Sequence, residues 1–125
     1  MEWHIEILKD PELIMVTTSG QFSLDAQHRM FQELGRVPGL QRGVPVLFDN
    51  RHIDMAGASP DIMRSAVETV QSFIRTHKVE RLAGLVNAGV NFGMGRQFEL
   101  LTEVAGGHGF RLFKDATLAI DWLTS

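Results

Sequence analysis

The chain has no cysteine. That excludes disulfides, thiolate metal sites and cysteine nucleophiles together, and it fits a reducing compartment. It has no basic surplus: 12 Lys and Arg stand against 15 Asp and Glu, a net charge of −3. A protein that tracks a phosphate backbone usually carries a clustered excess of cations, so no nucleic-acid partner is expected. It has no apolar run near the roughly 18 residues that a spanning helix needs, so no membrane span is expected. The segment Met1-Glu2-Trp3-His4-Ile5-Glu6 has neither the basic nor the apolar region of a secretory signal, and the expected location is cytoplasmic. What the chain does have is 125 residues, 44% of them hydrophobic and 22% charged. These values suit one globular domain over residues 1–125, and two independent cores would not fit.

Residues 3–8 alternate, with Trp3, Ile5 and Ile7 on one face, the period of a half-buried strand. Lys9-Asp10-Pro11-Glu12 has turn chemistry, and residues 13–18 are β-branched or apolar. The short connection predicts an antiparallel hairpin at a sheet edge. Ser23 then caps a helix with Asp25 in its first turn, Leu24, Gln27, Met30, Phe31 and Leu34 at helical spacing, and Gly35 after its end. Pro38-Gly39 opens a loop lasting to Gly43. Residues 44–48 are continuously apolar and predict a strand buried on both faces, ending at Asp49. Ser59-Pro60-Asp61 predicts a helix start, and apolar positions from Ile62 to Ile74 hold a 3.6 period to His77. A buried strand over 81–87, a glycine-rich bend, a helix through Phe98, Leu101 and Ala105, a strand over 110–113 and a helix capped by Asp115 complete the chain. The order is ββαβαβαβα. Strands that alternate with helices predict parallel pairing, hence an α/β domain with a mixed, mostly parallel five-stranded sheet and four helices.

Three stretches carry a family likeness: Val46-Leu47-Phe48-Asp49, Asn91-Phe92-Gly93-Met94-Gly95-Arg96-Gln97-Phe98-Glu99, and Phe113-Lys114-Asp115 with Ala119-Ile120-Asp121-Trp122-Leu123. With the element order, they make the chain resemble the SpoIIAA-like fold. That fold is shared by STAS domains (sulfate transporters and anti-sigma-factor antagonists) and, more distantly, by CRAL-TRIO lipid carriers. The likeness is strongest to a bacterial branch of small, single-domain STAS-like proteins. It implies an interaction module. In the anti-sigma-factor antagonists an Asp-Ser-Ser-Gly stretch carries a phosphorylated serine. The comparable stretch here is Asp54-Met55-Ala56-Gly57, whose Met and Ala accept no phosphate. Ser59 is the nearby hydroxyl, and its capping role beside Pro60 outweighs its weak candidacy for phosphorylation.

Two segments are candidates for chemistry. Gly89 to Arg96 lies between a strand and a helix, where free N–H groups can face an anion, with Asn91, Gly93, Gly95 and Arg96 as candidate binding residues. Its spacing matches neither a Walker A loop nor the dinucleotide pattern, and tight packing of helix on strand explains the glycines as well. The second is Asp49-Asn50-Arg51-His52-Ile53-Asp54, directly after a buried strand, where open α/β sheets place ligands. Asp49, Arg51, His52 and Asp54 are ligand-binding candidates there. His52 with Asp49 or Asp54 could form an acid/base pair beside the anion-binding bend, although no nucleophile accompanies them; a solvated polar loop is the simpler account. The five histidines show no metal-ligand spacing, so neither a metal nor another cofactor is expected. The helix over 59–77 has a wide apolar face with Met63 and Phe73, which reads as core or as a groove for a partner or lipid. The functional expectation is therefore a non-catalytic module that binds a protein partner or a small apolar or anionic ligand. The alternatives are a small enzyme built on His52, and a homodimer formed through an exposed sheet edge or face.

Overall fold

The structure is a computed structural model that describes residues 1–87, 96, 99 and 109–125. Five strands form one sheet in the order β1 (Glu2–Leu8), β2 (Leu13–Gln21), β3 (Val46–Asp54), β4 (Leu82–Leu85) and β5 (Phe110–Phe113). β1 and β2 are the expected antiparallel hairpin, with β1 at the edge, and the other three pairings are parallel. Among the described residues four helices accompany the sheet: α1 (Leu24–Leu34), α2 (Pro38–Gln41), α3 (Pro60–His77) and α4 (Ala116–Thr124). The helix expected through Phe98, Leu101 and Ala105 lies outside the described residues, as do Asn91, Gly93 and Gly95.

The helix starts follow from their caps. Ser23 Oγ accepts from Ala26 N at 3.2 Å, Ser59 Oγ from Ile62 N at 3.2 Å, and Asp115 Oδ1 from Thr117 N and Leu118 N at 2.7 and 3.1 Å. Each oxygen satisfies an N–H that the first helical turn leaves unpaired. Gly35 does follow α1, but at φ −61, so no left-handed cap requires it. A Cβ there would sit 2.9 Å from His77 Nε2, and the glycine serves the close approach of α1 and α3 instead. The left-handed cap belongs to α3, where Lys78 has φ 53. The stretch expected as a loop over 38–43 holds α2, with Pro38 in its first turn and Leu40 buried.

Alternation along the strands splits the core in two. Val46 and Phe48 of β3 join Ile14, Val16 and Leu82 beneath α1 and α3, where Phe31 contacts Phe48 and Phe73 at centroid distances of 5.5 and 4.7 Å. Leu47 faces the other way, with Ala83, Leu85 and the α4 residues Ala119 and Leu123. Continuous apolar character in β3 and β4 thus reflects helices on both sides of the sheet. The side covered by α1 and α3 holds the candidate site.

Candidate functional site

The sequence places a polar loop after Asp49; the structure continues β3 through Asp54. The polar residues are tolerated because the strand is irregular there. Thr17 pairs with Asp49 and Ser19 with His52, so Thr18 stands opposite two residues, Asn50 and Arg51. One extra residue in a strand is a β-bulge, and it inverts the alternation beyond it. Phe48 and Asn50 point beneath α1 and α3. Past the bulge the inward position falls to Ile53, which is buried, and His52 is turned out and exposed.

Asp49 holds the bulge. Its Oδ1 accepts from Arg51 N at 3.2 Å and Arg51 Nε at 2.9 Å, and its Oδ2 accepts from Arg51 Nη2 at 2.8 Å. The Arg51 hydrogen bond, aided by the guanidinium charge, lowers the Asp49 pKa from its usual value of 3.8 against the opposing effect of burial; the same bond raises that of Arg51. Asn87 Nδ2 donates to Arg51 O from across the end of β4. Asp49 and Arg51 therefore satisfy each other within the backbone.

Beside the bulge, between the sheet and the α1–α3 layer, lies a partly enclosed cavity of about 100 Å³. Met30 and Phe31 of α1, Met63 and Val70 of α3, and Phe48 and Ile53 of β3 line it. Phe22 and Met55 belong to the connections that follow β2 and β3, so the cavity reaches the carboxyl ends of these strands, where ligands of open α/β sheets bind. No described lining side chain is charged, and three are polar: Thr18, Gln27 and Asn50. Thr18 Oγ1 donates to Asn50 Oδ1 at 2.6 Å. Gln27, 5% exposed, donates from Nε2 to Ala66 O at 3.4 Å, and its Oε1 has no partner among the described residues.

The candidates named from sequence take different places. Asp49 and Arg51 clamp the bulge, and Asp54 is exposed, its Oδ1 accepting from Ala56 N at 2.9 Å. Among the described residues no hydrogen bond joins His52 to a carboxylate. Ser59 caps α3, and exposed Arg96 pairs with Glu99, whose Oε2 accepts from Leu112 N at 2.6 Å. None of these residues lines the cavity. Met55, from the Asp54-Met55-Ala56-Gly57 stretch, does. The polar lining residues were not candidates. Gln27 left one signal, a carboxamide inside an otherwise apolar helical stripe; Asn50 and Thr18 left none, because only the pairing of β2 with β3 brings them together.

A second, shallow groove runs between α1 and α3 past His28 and His77, with His28 Nε2 3.0 Å from Thr69 Oγ1. Among the described residues no three His, Asp or Glu side chains gather to hold a metal, and no helix is long and apolar enough to cross a membrane. Ile7 and Leu118 are the large apolar side chains exposed among those residues, while Trp3 is half-buried and donates from Nε1 to Glu33 at 2.8 Å.

Comparison with known proteins gives no matching family and no matching curated protein. Among solved structures, the chain is similar to an uncharacterised protein of the DUF3478 family with a SpoIIAA-like fold from Shewanella loihica PV-4. The two share 21% identity at a TM-score of 0.58, over 98% of this chain and 92% of that one. The fold is SpoIIAA-like. The expected α/β class, the mixed five-stranded sheet and its antiparallel edge agree with that assignment. At this identity the likeness speaks for the SpoIIAA-like framework alone, and the site must be argued from its own side chains.

Proposed function

We propose that this chain is a non-catalytic SpoIIAA-like binding module that holds a small apolar molecule between its sheet and the α1–α3 layer. The uncharged cavity bounded by Met30, Phe31, Met63 and Val70 carries the reading. Apolar pockets with a few placed polar groups are the usual form of a small-molecule site, and methionine side chains adapt to varied occupants. An anionic ligand is disfavoured because no described lining side chain is charged, and Arg51, next to Asn50 in β3, is already taken by Asp49. The enzymatic alternative loses support for a related reason: an acid/base pair needs His52 within reach of a free carboxylate, and the bulge turns His52 to solvent.

Burial contributes about 0.8 kcal/mol per methylene-sized group, so a six- or seven-carbon occupant gains roughly 5 kcal/mol. That corresponds to a dissociation constant on the order of 1 mM or below. Toluene is a suitable probe: an enclosed apolar cavity of about 150 Å³ accepts benzene, and this one, smaller at about 100 Å³, is only partly enclosed and need not hold the whole molecule. We expect saturable toluene binding by NMR titration, weakened at least tenfold by Met55→Trp, which plugs the cavity beside the β3–α3 connection. Met55 is only partly buried, so this variant should keep the wild-type melting temperature within about 2 °C. Linear, unsaturable shifts, or equal affinity in the plugged variant, would overturn the proposal.

A further inference from the structure

The unpartnered oxygen of Gln27 says more about the occupant. Gln27 is buried, lines the cavity, and has its amide orientation fixed by Ala66: the group facing a carbonyl oxygen must be the NH2, because the reversed amide would set two acceptors against each other. Oε1 is therefore a buried acceptor without a donor among the described residues. Such groups are uncommon in folded proteins, and each calls for an explanation. Asn50 completes the pattern: with its Oδ1 accepting from Thr18, it keeps the Nδ2 hydrogens to give. The lining thus includes one buried acceptor without a donor and a carboxamide with hydrogens left to give, both neutral, among mostly apolar walls.

We infer that the occupant carries a single uncharged group able both to donate and to accept, a hydroxyl or a carboxamide, on an apolar body, and that Gln27 and Asn50 read it. The inference rests on the apolar-cavity reading above and narrows it. A carboxylate has nothing to donate to Gln27 Oε1 and finds no cationic side chain in the described lining. An ammonium has no lone pair to accept from Asn50 and no carboxylate to face. A plain hydrocarbon fits the walls but leaves Oε1 unpaired.

The test compares toluene, phenol and benzoate, three probes of one ring size, against the full chain and Gln27→Leu, by NMR titration. The reading is the ratio of the toluene to the phenol dissociation constant, in which changes in the walls cancel. We expect Gln27→Leu to lower that ratio at least tenfold by weakening phenol alone, and benzoate to bind the wild type more weakly than phenol. A ratio unchanged within twofold, or benzoate binding more tightly than phenol, overturns the inference while leaving the apolar-cavity reading standing. Failure of all three probes overturns the cavity reading itself. If Gln27→Leu does not fold, Gln27→Met, unbranched and of similar length, gives the same ratio.

Discussion

Replacing Phe31 by alanine will destabilise the protein by about 3–5 kcal/mol, the range for a large aromatic removed from a close-packed interior. Phe31 is 7% exposed and is the point where the two helices meet the sheet: its ring touches Phe48 of β3 and Phe73 of α3, and Phe73 in turn stacks on His77 at 4.6 Å. Losing it removes two aromatic contacts and joins a new void to the existing cavity. Against a typical total stability of about 5–15 kcal/mol, the loss should be plain in urea melts. Leu118→Ala is the control, since Leu118 is 60% exposed and should change stability by less than about 0.5 kcal/mol. The enlarged cavity also makes a second result follow: toluene should stabilise Phe31→Ala more than the wild type, because the stability that a bound ligand adds rises with the logarithm of its affinity. A loss under about 1 kcal/mol would mean that Phe31 is not the packing centre described.

Asp49→Asn is expected to cost about 1–3 kcal/mol at neutral pH, the range for charge-assisted hydrogen bonds. The carboxylate is 6% exposed, while Arg51 is 39% exposed and can turn to water when released, which keeps the loss below that of a fully buried pair. Its pH dependence has a definite sign. Asp49 is held below its usual pKa of 3.8, so its contribution is fully present above that value and disappears as pH falls through the lower folded-state pKa. Wild type and variant should therefore differ by a constant amount from pH 5 to 8 and converge below about pH 4. A gap that persists into acid would assign the effect to shape and not to charge.

The limits of reading this chain from sequence lie at one strand. Alternation found β1, apolar continuity found the centre of β3, and three oxygen caps set the starts of α1, α3 and α4, because each of these signals is local. The polar half of β3 defeated the same reasoning. Asp49 to Asp54 looks like solvated loop until Arg51 is seen folding back on Asp49, an i to i+2 pairing inside a strand. The bulge depends on register with β2, which is non-local, and it decides that Asn50 and Ile53 face the cavity and His52 does not. The segment singled out from sequence contributes Asn50 and Ile53 to the cavity lining, while its charged members Asp49 and Arg51 are engaged with each other. The short α2 escaped for a different reason: four residues are too few to show a period.

The most direct test of the central claim is where an apolar probe sits. Intermolecular nuclear Overhauser contacts from bound toluene should reach the methyl groups of Met30, Met63 and Val70 and the ring of Phe48, which meet only beneath α1 and α3. Contacts confined to His28, Thr69 and Thr76 in the outer groove, or none in a sample that binds toluene saturably, would contradict an occupant held between the helices and the sheet.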